Sequence, residues 1–132
     1  MKRNYTKSEY SESWLDNGVI YQIISLKVKK ISLEIAKQLV KDRTYAMGTV
    51  GLNVTVYVVV NNAMSVDSEA KKYYKLPEAY ENIGGIAMLV DNYGARLVGN
   101  LIFKINRSQV PTAFFNKEEK ALEWLKQFEF LN

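Results

Sequence analysis

Between Ile86 and Phe115 the chain reads as strand, turn, helix and strand, and this succession limits the fold more than any other feature. Ile86-Ala87-Met88-Leu89-Val90 is a continuous apolar run of strand length. A strand apolar on both sides belongs where both sides are covered. Asp91-Asn92 then turns the chain, and Leu97, Val98, Leu101, Ile102 and Ile105 recur at helical spacing. Pro111 opens a second strand-like run that ends at Phe115. A helix leading straight to another strand is the crossover of a parallel arrangement. Gly84-Gly85 reads as a break before the first strand, and Tyr80 to Ile83 as a short helical turn.

The earlier part of the chain supplies the rest of the sheet. Asn17-Gly18 stands between two apolar runs, and both residues tolerate positive φ, so a tight antiparallel hairpin is expected with a second strand from Val19 to about Ser25. Leu26, Val28 and Ile31 alternate with Lys27 and Lys29 as a short, half-exposed strand. Ser32 stands at an N-cap position. Behind it Ile35, Ala36, Leu39, Val40 and Met47 form one helical stripe, closed near Gly48. Gly48-Thr49-Val50-Gly51 follows a helix and lacks the lysine of a phosphate loop, so it is a turn. Val54 to Val60, β-branched and aromatic almost throughout, is the central strand. A helix follows Asp67 and ends before Pro77. The last helix starts at Asn116, with Glu119 completing a capping box and Ala121, Leu122, Leu125 and Phe128 on its buried side.

At 132 residues the chain makes one domain. Residues 1–13 are polar and are expected to be a flexible N-terminal tail, with the domain itself running from 14 to 132. No apolar run is long enough to span a membrane, and the start lacks a secretory signal. The absence of cysteine fits a cytoplasmic location. The net charge of +4 is spread among interleaved acids, and the densest cluster, Lys27 to Lys30, reads as a strand edge protected by lysine, so no nucleic-acid partner is expected.

Histidine and cysteine are both missing. Their absence removes the usual general base near neutral pH, thiolate nucleophiles and the nitrogen–sulfur ligand sets of zinc. No nucleotide-binding glycine fingerprint is present, and the pairs Glu118-Glu119 and Glu9-Glu12 are accounted for by a helix start and a tail. No cofactor, no metal and no catalytic residue are therefore expected, and the chain reads as a binding protein.

Two loops leave the carboxyl ends of buried strands and open helices, the place where parallel sheets hold ligands. Asn61, Asn62, Ser65, Asp67, Ser68, Asp91, Asn92 and Arg96 would line that rim and meet a protein partner or an anion. The plainer reading is that Asp67 and Asn92 cap helices and that Asn61-Asn62 turns the chain. An enzyme built on Arg96 and Asp91 is a further reading. On the helix after Tyr93, Arg96, Gly99 and Phe103 share a face beside the buried stripe, suited to packing on the chain's own sheet or to self-association as a homodimer.

The blocks Trp14-Leu15-Asp16-Asn17-Gly18, Ala95-Arg96-Leu97-Val98-Gly99-Asn100, Val110-Pro111-Thr112 and Ala121-Leu122-Glu123-Trp124-Leu125, with the order of elements around them, resemble small bacterial STAS/SEC14-like proteins. The wider likeness is to STAS-like domains, the SpoIIAA-like fold of anti-sigma factor antagonists. This resemblance implies an α/β single-domain STAS-like fold, an N-terminal antiparallel hairpin joined to a mixed sheet with crossover helices. It also implies a non-enzymatic regulatory or protein-interaction module; the alternative it carries is a carrier of a small apolar ligand or lipid. Anti-sigma factor antagonists switch by phosphorylation of a serine in an Asp-Ser-Ser-Gly-like segment. Ser68 stands in that place, although Glu69-Ala70 replace the following Ser-Gly.

Overall fold

The computed structural model describes residues 1–49, 51, 53–60, 65–90 and 110–131, the last three of these as backbone. Asn17 and Gly18 take φ values of 52° and 79°. Positive φ at both centres is what a two-residue hairpin of the right twist requires. The turn joins β2 (Ser11–Asp16) to β3 (Val19–Ile24), paired from Ser11↔Ile24 to Asp16↔Val19. From β3 the sheet continues in parallel through β5 (Val54–Val59), β7 (Ile83–Leu89) and β8 (Thr112–Phe115). With β1 (Arg3–Lys7) outside β2, the order is β1-β2-β3-β5-β7-β8, a mixed six-stranded sheet. β5 lies inside it, and Val54, Val56 and Tyr57 are almost fully buried.

Helix α1 (Leu33–Met47) packs on β1, β2 and β3, and its Ala36, Leu39, Ala46 and Met47 join Ile20, Val54, Val56 and Ile86 in the larger core. Ser32 caps it by accepting from the Ile35 amide at 3.2 Å, and Gly48 ends it with φ 58°. A short helix α2 (Ser68–Tyr73) follows β6 (Ser65–Val66) and contacts α1. On the other side of the sheet α3 (Glu118–Leu125) buries Ala121 and Leu125 against Tyr57 and Ala87. Across β2, β3 and β5 on that side, Trp14 stacks on Tyr21 at 5.5 Å and Tyr21 meets Tyr57 edge-on at 5.5 Å.

Several expectations are corrected. The first thirteen residues are not a free tail: Arg3–Lys7 is an edge strand and Ser11–Ser13 already belong to β2. Polar sequence concealed this because an edge strand is held through its backbone and a few side chains. Lys2 lies 4.0 Å over the Trp14 ring, and Asn4, at φ 53° beside an irregularity in the ladder, donates to the Ala46 carbonyl at the end of α1. The strand expected over 26–31 shrinks to β4 (Lys30–Ile31), parallel to β6 in a second small sheet, because Val28 turns back to the Ser25 carbonyl. Leu26 is consequently exposed.

Gly84-Gly85 is not a break but part of β7. A Cβ on Gly84 would lie 2.8 Å from the Asn53 carbonyl oxygen, and one on Gly85 would lie 2.6 Å from the Phe128 ring. The helical turn occurs earlier, as a 3-10 turn at Pro77–Tyr80, where proline suits the first turn. At α3 the N-cap position falls on Lys117 and carries no side-chain cap bond, so the Asn116 capping box is replaced by a start one residue later. The expected helix through Leu97 and Ile105 lies outside the described residues. Among the described residues no helix is long and apolar enough to cross a membrane.

Candidate functional site

Of the expected binding rim, Asn61, Asn62, Asp91, Asn92 and Arg96 lie outside the described residues, as do Gly99 and Phe103 of the expected self-association face. Asp67 caps α2, accepting from the Ala70 amide at 2.9 Å while its own amide donates to the Ile31 carbonyl at 3.0 Å. Ser65 is exposed in β6 as the Cα partner of Lys30. Ser68 is exposed at the first position of α2, between Asp67 and Glu69, whose charges oppose a phosphate there. Ser65 therefore lies beside the lysine cluster.

That cluster borders an open groove of about 930 Å³ where the β1–β2 turn meets the segment after β3. Lys7, Lys27, Lys29 and Lys30 line it beside Glu9 and Glu12, and Leu26, 62% exposed, contributes an apolar side chain. Four cations against two carboxylates leave the groove positive. Leu26 is exposed for the reason given above: the chain turns at Ser25–Val28 and turns the leucine away from the core.

The least expected chemistry lies on α1. Asp42 and Arg43 are both buried, at 4% and 6% exposure. The Asp42 carboxylate accepts from the Ser8 hydroxyl at 2.5 Å, the Ser11 hydroxyl at 2.9 Å and the Gln38 amide at 2.7 Å. Gln22 extends this network, donating to the Ser11 hydroxyl at 3.1 Å and to the Leu39 carbonyl at 2.9 Å. A buried carboxylate survives when such donors replace its water.

Arg43 has a different environment. Its Nη2 donates to the Ala79 carbonyl, and among the described residues its buried Nε has no hydrogen-bond partner and no carboxylate pairs with it. Burial pulls it below the usual arginine range, and the neighbouring phenols of Tyr74, Tyr80 and Tyr73 act in the opposite sense. Those rings form a chain, Tyr73 to Tyr74 at 5.8 Å and Tyr74 to Tyr80 at 6.5 Å. Tyr74 is half-buried as a residue, yet its phenol sits deep enough that burial pushes it up to about 12. Arg43, Tyr74 and Tyr80 edge a cavity of about 60 Å³ whose remaining walls are mostly aliphatic, among them Ile31, Val58, Ile86 and Met88.

Neither Asp42 nor Arg43 was marked by the apolar stripe of α1. The signal was there in position: Arg43 follows Ala36 by seven and Leu39 by four, so it falls inside the buried face. A charge at such a place announces a partner or a ligand.

The model of a family described as a domain of unknown function, DUF7793, matches residues 13–129. The chain belongs to that family. No curated protein matches it. Among solved structures it is similar to an uncharacterized protein of the DUF3478 family with a SpoIIAA-like fold, from Shewanella loihica PV-4. That likeness covers 95% of each chain at 12% identity, with a TM-score of 0.57. The STAS-like resemblance read from the residues is thus upheld at the level of fold: a mixed α/β domain of the SpoIIAA-like kind.

Proposed function

We propose that this DUF7793 domain is a non-enzymatic interaction module that receives an acidic, partly apolar segment of a protein partner in the groove beside β4. The observation that carries the reading is the exposed Leu26 among Lys7, Lys27, Lys29 and Lys30. An apolar anchor ringed by like charges is the pattern of a contact that buries a side chain at its centre and pairs charges at its rim. The lack of histidine and cysteine supports a protein that binds without transforming. The Ser65–Ser68 segment adjoins the groove through Lys30, which makes Ser68 a place where phosphorylation would alter its charge.

A lipid carrier is less well supported. Ligand pockets for drug-sized molecules run to several hundred Å³, whereas the mostly aliphatic pocket edged by Arg43, Tyr74 and Tyr80 is about 60 Å³.

Fluorescence anisotropy with a labelled peptide of alternating glutamate and leucine tests the module. Binding should weaken steeply with salt, and Leu26→Asp or the combined change K27E/K29E/K30E should abolish it. Binding that ignores both salt and these substitutions would remove the groove from consideration. Turnover by the purified protein in a broad hydrolase and transferase screen would overturn the non-enzymatic part.

A further inference from the structure

An unpaired guanidinium nine-tenths buried is costly, because desolvation of a cation is offset only by an opposite charge or by well-formed hydrogen bonds. Among the described residues Arg43 has one such bond, to the Ala79 carbonyl, and a buried Nε with no partner, and the residue lines a cavity. A cavity of about 60 Å³ accommodates on the order of four or five non-hydrogen atoms when one water needs roughly 10–15 Å³. Its lining combines polar groups, Arg43, Tyr74, Tyr80 and Gln22, with an aliphatic set that includes Val58, Ile86 and Met88 from the adjacent strands β5 and β7.

We propose that this cavity binds a short-chain monocarboxylate of the size of propionate, with its carboxylate on Arg43 and its alkyl end among Val58, Ile86 and Met88. Charge decides for a monoanion: one buried positive charge is balanced by one negative, whereas a phosphate dianion would leave a net charge inside. Shape decides for a carboxylate over a halide, because a halide would leave the space beside the aliphatic set empty. The guanidinium edge carrying Nε suits a planar carboxylate. The Tyr74 phenol, neutral near pH 7, can add a donor. The site is separate from the lysine groove and stands or falls independently of it.

The test is calorimetric titration with sodium propionate, against sodium chloride at equal ionic strength and against sodium decanoate, on the wild type and on Arg43→Met and Arg43→Lys. Saturable propionate binding is expected, weakened roughly tenfold or more in Arg43→Met. In a nitrogen-15 spectrum propionate should shift one arginine Nε–H resonance, the one missing in Arg43→Lys. That readout decides the matter even if Arg43→Met fails to fold. Equal binding of chloride, tighter binding of decanoate, undiminished binding by a folded Arg43→Met, or an unmoved Nε–H resonance would each overturn the proposal. Reversal of Lys27, Lys29 and Lys30 should leave propionate binding unchanged, which separates this site from the groove.

Discussion

Asp42 and Arg43 are neighbours on α1, oppositely charged and both buried, yet they do not pair with each other: the carboxylate is held by Ser8, Ser11 and Gln38, and the guanidinium reaches the Ala79 carbonyl. Successive helical positions point about 100° apart, so the two charges face different parts of the protein. Asp42 joins α1 to the β1–β2 turn, and Arg43 joins it to the segment after α2. The two sites have unlike energetics, and substitution should expose the difference.

Asp42→Ala removes an acceptor that serves three donors and leaves the Ser8 and Ser11 hydroxyls without it. The expected cost is about 2–4 kcal/mol, seen as a lower urea midpoint with little change in slope. A loss below about 0.5 kcal/mol would mean that the network contributes nothing to stability.

Arg43→Met should behave in the opposite way in the unliganded protein. The loss of one hydrogen bond to Ala79 is offset by no longer burying a charge, so stability should stay within about 1 kcal/mol of the wild type or rise. The same urea titration, run in a buffer free of carboxylates, checks this. A loss of several kcal/mol would show that the guanidinium has a partner of opposite charge.

The glycines of β7 give a graded prediction. At Gly84 the obstruction is the Asn53 backbone, which cannot move aside, so Gly84→Ala should cost about 2–3 kcal/mol. At Gly85 it is the Phe128 ring, so Gly85→Ala should cost less and be relieved by Phe128→Leu. Thermal unfolding of the two single variants and the double variant tests the coupling. Simple additivity would contradict the contact.

Tyrosine titration sets the alkaline limit. Burial raises the Tyr74 phenol from 10.0 to about 12, and Tyr57 is raised further still, by burial first and then by the Glu118 carboxylate. A phenol whose pKa is higher in the folded state contributes stability below pH 10 that is lost as pH climbs through about 12. Unfolding free energy should therefore fall over that interval, and less steeply in Tyr74→Phe. Among the described residues the buried Tyr57 hydroxyl makes no hydrogen bond of good geometry, although the Glu118 carboxylate lies near it, so Tyr57→Phe should change stability by no more than about 1 kcal/mol. Phenolate absorbance appearing in full near pH 10, with the protein still folded, would contradict the burial of these groups.

Local rules carried much of the fold. The Asn17-Gly18 hairpin depended only on two residues that accept positive φ, the α1 start only on the Ser32 hydroxyl, and the central place of β5 only on a run too apolar to face water. The chosen rim was legible in part: Asp67 proved to be a cap, as its position before α2 implied. The lysine cluster was visible as composition, but its meeting with Leu26 in one groove was not.

The amino-acid order by itself determined the hairpin, the α1 stripe and the buried strand β5, because each is set by backbone preferences and apolar spacing over a few residues. Only the tertiary structure decided that the polar start is an edge strand, that Gly84 and Gly85 lie inside β7 and that Arg43 faces a cavity. Those outcomes depend on what lies across from each residue, on Trp14 beneath Lys2, on Asn53 and Phe128 beside the glycines and on Ala79 opposite the guanidinium. Partners brought together from distant positions are not encoded in any local window.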